Sequence, residues 1–318
     1  MKAVLIAAGS AAVLGAAASG IAAVTLFKRV IPRQDQIRVN LDEMADMKQW
    51  EEYKKIIHPN KEWVMAQDLE HITIKSHDGL ILHADYLKAD KENSRNRLAI
   101  CFHGYTSCGL SDCSSIAVFL HKLGFDCLIV DNRAHGKSEG DYVGFGILDR
   151  FDCISWINYM NERFGKRDTL LFGVSMGAAT VLMATGTKGF PDNVKAIIAD
   201  CAFTSPYEVF THVLKKDYHL PEFPIMKIND RICRKKAGYG FKDFSTIDAV
   251  KSTSCPILFV HGKNDNFVPT WMSEKNYQEC ASPKELLLVE NAAHAASYYE
   301  NQTLYESKAA EFIGKYMP

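Results

Sequence analysis

Thr169-Leu170-Leu171-Phe172-Gly173-Val174-Ser175-Met176-Gly177-Ala178-Ala179-Thr180-Val181-Leu182-Met183 is the stretch on which the reading of this chain turns. An apolar, β-prone run enters, helix formers leave, and the five residues between them leave room only for a sharp turn. A serine at such an elbow is pushed out above a sheet, and glycines two residues to either side remove the Cβ atoms that would clash there. The amide of Met176, at the helix start, is then aimed where negative charge develops on a substrate carbonyl.

The same alternation extends outward from the elbow. His71 to Lys75 and Leu80 to Leu87 flank the turn signal Ser76-His77-Asp78-Gly79 and predict a hairpin. Strands are expected at Leu98 to Phe102, Cys127 to Val130, Val194 to Ala199, Ile257 to Val260 and Leu286 to Val289. Helices are expected from about Ser111, Leu148, Ser175, Thr270 and Ser297. Strand and helix in regular alternation mean an α/β fold, a mostly parallel sheet covered on both faces, and residues 68–318 suit one domain. The rhythm lapses over about 204–246, and so long an insertion between strands is expected to be a lid or binding loop. Its Phe210, Tyr218, Phe223, Ile225, Met226 and Phe241 would wall the apolar part of a substrate. Its basic residues Arg231, Arg234, Lys235 and Lys236 fit either an anion-facing surface or a solvated helix face.

Serine is inert at its own pKa and needs a base, normally a histidine held by a carboxylate. His294 follows the strand ending at Val289, and Asp265 follows the strand before it. In an open parallel sheet such loops gather on one edge, and the chain order Ser175, Asp265, His294 is a hydrolase order. His103 and His135 are rival bases, each followed by glycine in a loop and better suited to bracing it. Asp200, at the end of the strand before the insertion, is the rival acid, and Asp131 and Arg133 are expected to brace the loop that carries them.

These motifs resemble the α/β-hydrolase family over roughly residues 68–317, most of all the bacterial branch of serine aminopeptidases and cinnamoyl esterases, which includes members with one N-terminal membrane helix. The matching residues are His103-Gly104-Tyr105-Thr106-Ser107, Asp131-Asn132-Arg133-Ala134-His135-Gly136-Lys137-Ser138, the elbow at Ser175, His261-Gly262 with Asp265 and Val268-Pro269, and His294. One departure is Ala293, where the family often has glycine. The resemblance implies an eight-stranded sheet and makes the amide of Tyr105 the second oxyanion donor beside that of Met176. It also implies a serine hydrolase acting on a small-molecule carboxylic ester or thioester, with no metal or organic cofactor. The same triad and fold serve peptidases and amidases, and a non-catalytic binding protein on this fold is the reading from another class.

Composition narrows the alternatives. Thirty-seven basic and 38 acidic side chains leave a net charge of −1, which gives no field for holding nucleic acid. Nine cysteines without C-x-x-C spacing read as reduced small hydrophobes, not as a disulfide framework or a zinc site. From Ala3 to Phe27 no residue is charged, a span of about 37 Å as helix. Residues 1–29 are therefore expected to be a single-pass membrane anchor, with Lys28, Arg29, Arg33 and Arg38 keeping the catalytic domain in the cytoplasm. A cleaved signal ending at Ala16-Ala17-Ala18 is the alternative. Residues 30–67 are expected to be a polar helical linker, with Trp50, Tyr53 and Ile57 on one apolar helical face.

Overall fold

The computed structural model describes residues 18–34 and 47–318. Eight strands form one sheet: β1 Glu70–Lys75, β2 Ile81–Leu87, β3 Arg97–Phe102, β4 Phe125–Val130, β5 Thr169–Val174, β6 Val194–Asp200, β7 Ile257–Gly262 and β8 Lys284–Val289. Their order across the sheet is β1-β2-β4-β3-β5-β6-β7-β8. Only β2 runs against its neighbours, pairing antiparallel with both β1 and β4. β5 and β7 are buried along their whole length, which is why Leu170, Leu171 and Phe172 form a continuous apolar run without alternation.

Twelve helices are described: α1 over 18–30, α2 Met47–Met65, α3 Gly109–Asp112, α4 Ser114–Lys122, α5 Asp149–Phe164, α6 Met176–Thr185, α7 Pro206–Lys216, α8 Ile225–Ala237, α9 Thr246–Val250, α10 Trp271–Glu279, α11 Ser297–Glu300 and α12 Gln302–Tyr316. One face of the sheet is covered by α2, α4 and α12, through Tyr53, Val64, Ile116, Leu120, Tyr305 and Phe312. The other is covered by α5 and α6, through Trp156, Ile157, Ala178 and Val181. The linker helix expected around Tyr53 is thus part of the core on one side, and the Tyr53 hydroxyl also donates to Glu300. All nine cysteines are unpaired thiols and eight are buried, as small apolar side chains would be.

A third apolar cluster sits above the sheet's C-terminal edge. It joins Ala23, Phe27 and Ile31 of the N-terminal segment to Phe145, Met176 and Val268 and to Val209, Ile225, Met226 and Phe241 of the segment between β6 and β7. The expected membrane anchor finds no support in the described residues. Among them no helix is long and apolar enough to cross a membrane. Within α1 the side chains of Ala23 and Phe27 are buried against the domain, while Ile21 and Val24 are exposed. Residues 3–17 of the expected span, Arg38 and most of the signal-cleavage alternative lie outside the described residues. Arg33, one of the bases expected to set an orientation, donates instead to the carbonyls of Gly136 and Ser138.

The segment between β6 and β7 is mostly helical. Ser205 caps α7 by accepting the amide of Glu208 at 3.1 Å, and Ser245 caps α9 by accepting that of Asp248 at 3.0 Å. Of the residues expected to form its wall, Ile225, Met226 and Phe241 are buried in the third cluster and Phe210 packs on it, whereas Phe223 is 71% exposed. In its basic cluster Arg234 is taken up by Asp230 and Asp243, while Arg231, Lys235 and Lys236 are exposed. The solvated-face reading of that cluster is the one these positions match.

Candidate active site

Ser175 is the first residue after β5 and the one before α6, with φ +54° and ψ −113°, outside the regions an L-residue prefers. Two close approaches hold it there. A Cβ on Gly173 would come within 2.3 Å of the Gly177 carbonyl, and one on Gly177 within 2.1 Å of the Phe102 carbonyl. The amide of Ser175 donates to the Asp200 carbonyl at 2.8 Å, so the elbow is tied to the neighbouring strand. The strain is of the kind found where a fold over-determines a functional side chain.

The three residues expected from the chain order meet. His294 Nε2 lies 2.9 Å from Ser175 Oγ, and His294 Nδ1 lies 2.7 Å from Asp265 Oδ2. Asp265 is itself fixed: its Oδ1 accepts the amides of Phe267 and Val268, both at 2.9 Å. Burial pushes its carboxyl up, but the charge of His294 and hydrogen bonds from His261 and His294 outweigh burial and hold it well below the usual carboxylate range. Burial likewise pushes His294 down, and the field and hydrogen bond of Asp265, with smaller help from Asp200 and Asp112, raise it above its ordinary value. The carboxylate therefore stays charged and orients the ring, with Nδ1 as donor and Nε2 left to accept from the serine.

The rivals are placed elsewhere. His103 donates from Nδ1 to the Gly104 carbonyl at 2.6 Å and accepts the Asn132 amide on Nε2 at 3.0 Å. His135 donates to the Arg133 carbonyl at 2.9 Å and accepts the Thr106 amide at 3.2 Å. Burial, chiefly, lowers both to about 4, so they are neutral loop braces at neutral pH. Asp131 accepts the amides of Gly109 and Lys137, each at 2.9 Å, and Arg133 reaches both Asp152 and Asp78. Burial raises the Asp200 carboxyl to about 6, and besides its small field on His294 Asp200 gives the site its main-chain carbonyl under Ser175.

Tyr105 and Met176 are brought to the same edge, in the loop after β3 and at the first turn of α6. Among the described residues neither amide donates to a protein acceptor. Two supporting side chains carry no sequence signal of their own. Asp112 accepts the Gly104 amide on Oδ2 at 2.9 Å and the Ser107 hydroxyl on Oδ1, bracing the loop that carries Tyr105. His261, read in the sequence only as part of a motif, is wholly buried and shares its Nε2 proton between Val268 O at 2.8 Å and Asp265 Oδ2 at 3.1 Å. Ser273 Oγ stands 2.6 Å from its Nδ1, which fixes the tautomer. Cys201 brings its sulfur within 4.8 Å of the donor atoms of Asp265 and His294, but burial pushes its thiol well up, and a protonated thiol is a poor metal ligand.

Residues 100–223 match the family model described as alpha/beta hydrolase fold. The chain is 32% identical over 219 residues to YqkD, an uncharacterized protein of Bacillus subtilis, covering 69% of this chain and 71% of that protein. Among solved structures it is similar to the Pyrococcus furiosus esterase Pf2001, with a TM-score of 0.64 at 20% identity over 79% of this chain and 92% of the other. It is also similar to Est1E of Butyrivibrio proteoclasticus, solved with ferulic acid bound, with a TM-score of 0.59 at 21% identity over 77% of this chain and 99% of the other. The chain belongs to the α/β-hydrolase superfamily.

Proposed function

We propose that this protein is a serine hydrolase that cleaves a carboxylic ester or thioester through an acyl-enzyme. The observation that carries the reading is the relay from Ser175 Oγ through His294 Nε2 and Nδ1 to Asp265 Oδ2, with steps of 2.9 and 2.7 Å. Ser175 Oγ attacks the acyl carbon while its proton passes to His294 Nε2, and the carbonyl electrons move onto oxygen. The amides of Tyr105 and Met176 receive that oxyanion, each worth about 3 to 4 kcal/mol in the transition state. Collapse expels the alcohol or thiol, which takes the proton back from His294. Water then repeats the sequence on the acyl-enzyme, delivering its proton to His294, which returns it to Ser175 Oγ as the acid is released.

The esterase names of the structural neighbours, one with ferulic acid bound, favour an ester over an amide and fit the cinnamoyl-esterase-like branch. In this reading the segment 204–246 is the lid of a domain spanning 68–318, with its apolar residues over the acyl group. A panel of p-nitrophenyl esters, acyl thioesters and aminoacyl amides tests the assignment. Turnover of an ester or thioester above every amide, with covalent fluorophosphonate labelling at Ser175, is expected. Preference for aminoacyl amides would move the protein to the peptidases, and no labelling of the folded enzyme would remove the acyl-enzyme.

A further inference from the structure

Tyr105 stands between two amides whose partners are fixed. Gly104 N–H donates to Asp112 Oδ2 at 2.9 Å and Thr106 N–H to His135 Nε2 at 3.2 Å, while the Tyr105 amide between them is the one assigned to the oxyanion. Thr106 has φ +58°, a left-handed conformation that a β-branched residue holds only at a cost of about 1 to 3 kcal/mol. The loop therefore relaxes unless it is held from more than one side. The Tyr105 ring supplies a further hold. Its centroid is 5.1 Å from that of Phe145, and its hydroxyl donates to the Val30 carbonyl at 2.9 Å.

Val30 is the last residue of α1, so its carbonyl is one of those left without an intrahelical partner and lies at the negative end of the helix. The chain beyond it is latched across the loop that follows β4. Ile31 O accepts the Val143 amide at 2.8 Å, Arg33 N–H donates to Asp141 O at 2.8 Å, and the Arg33 guanidinium donates to Gly136 O at 2.7 Å and to Ser138 O. Ala23, Phe27 and Ile31 are buried in the cluster that holds Met176, the other oxyanion residue. The segment thus bears on both halves of the oxyanion hole from one side.

We infer that residues 18–34 form a strap belonging to the active site, and that Tyr105, held through its hydroxyl by Val30, is a positioning residue that keeps its own amide aimed at the oxyanion. The inference rests on the serine-hydrolase reading above. It makes the N-terminal segment part of the catalytic unit, where the sequence suggests only a membrane span and a linker.

The test is made in the full chain with Tyr105→Phe, Arg33→Ala and the double variant. Tyr105→Phe keeps the ring and removes only the hydroxyl. It should lower kcat about tenfold, part of the 10²-fold or more that loss of a whole donor costs, with KM unchanged within twofold. The rate of fluorophosphonate labelling should fall by the same factor. Arg33→Ala should give a similar loss, Arg33→Lys should recover part of it, and the double variant should be no slower than the worse single one, because both act through one strap. Wild-type kcat in Tyr105→Phe while the parent labels at Ser175 would overturn the inference, as would two losses that multiply. A parent enzyme that fails to label at Ser175 would instead overturn the hydrolase reading, and the inference with it.

Discussion

The sheet edge that carries Ser175, Asp265 and His294 and the apolar roof above it are built in opposite ways. At the edge, main-chain hydrogen bonds set the geometry. Ser175 N–H donates to Asp200 O at 2.8 Å, Lys263 N–H to Val289 O at 2.9 Å and Asn264 N–H to Ala292 O at 2.9 Å, so the loops that carry these three residues are tied to neighbouring strands or to one another. The roof is assembled from α1, α7 and α8, distant in sequence, largely by apolar side chains meeting in one cluster. Atoms that must meet within about 3 Å need a frame with few soft torsions, whereas a surface that sorts substrates needs only shape and apolar area. Changes at the edge should therefore scale all substrates alike, and changes in the roof should re-rank them.

The largest expected effect lies at the edge. Ser175→Ala should abolish fluorophosphonate labelling and lower kcat by about 10⁴-fold or more, for every ester tested, in a chain whose melting temperature is retained. A Ser175→Ala protein that still labels would dissolve the comparison by placing the nucleophile elsewhere. Next comes the orienting acid: Asp265→Asn should cost about 10⁴ in kcat by releasing control of the His294 tautomer. Asp200→Asn should cost far less, since His294 Nδ1 sits 2.7 Å from Asp265 Oδ2. The reverse ranking would transfer the acid to the end of β6.

The pH profile sharpens the same contrast. His294 is a base only when neutral, and its field from Asp265 raises it above the ordinary histidine value, so kcat/KM should fall on the acid side with a limb above about 6.5. Asp265→Asn should move that limb to lower pH. Protonating His294 does not unfold the protein: a raised value means its stabilising contribution is complete below about 6.5 and fades as pH rises through the folded value. His103 and His135, lowered to about 4, act in the other direction, and the stability their neutral forms give is lost as pH falls from about 6.5 toward 4. Activity should therefore drop before the melting temperature does. A limb that followed unfolding instead would disconnect it from His294.

What was legible in the sequence follows this division. The sheet and the meeting of Ser175, Asp265 and His294 are carried by local patterns: buried runs such as Leu170 to Phe172, the glycines around Ser175, and Asp265 and His294 at strand ends in a meaningful order. His261 and Asp112 were not readable as supports, because their roles depend on which amide or carboxylate lies beside them in space. The N-terminus is the least legible part, for a physical reason. An uncharged, alanine-rich run has the same composition whether it faces lipid or packs on a protein, so the docking of Ala23, Phe27 and Ile31 beside Met176 could not be read from it. Phe223 misled for a related reason: apolar character is visible in sequence, but the side of the segment on which it falls is not.

The smallest expected effect is in the roof, where it appears as a change of slope. Phe210 stacks edge-on against Phe145 at 4.7 Å and Phe241 at 4.9 Å, and Phe145 in turn lies 5.1 Å from Tyr105. This aromatic chain links the inserted segment to the loop that carries Tyr105. If it walls the acyl group, each methylene added to a p-nitrophenyl ester should gain about 0.8 kcal/mol until the pocket is full, a few-fold rise in kcat/KM per carbon. Phe210→Ala opens that wall without touching Ser175, His294 or Asp265. Acetate should then be hydrolysed within about threefold of the parent rate, while the optimum shifts to longer chains and the rise per carbon flattens, because the added methylenes meet water instead of a ring. Parallel profiles for parent and variant would separate the roof from substrate choice and leave the comparison without its second half.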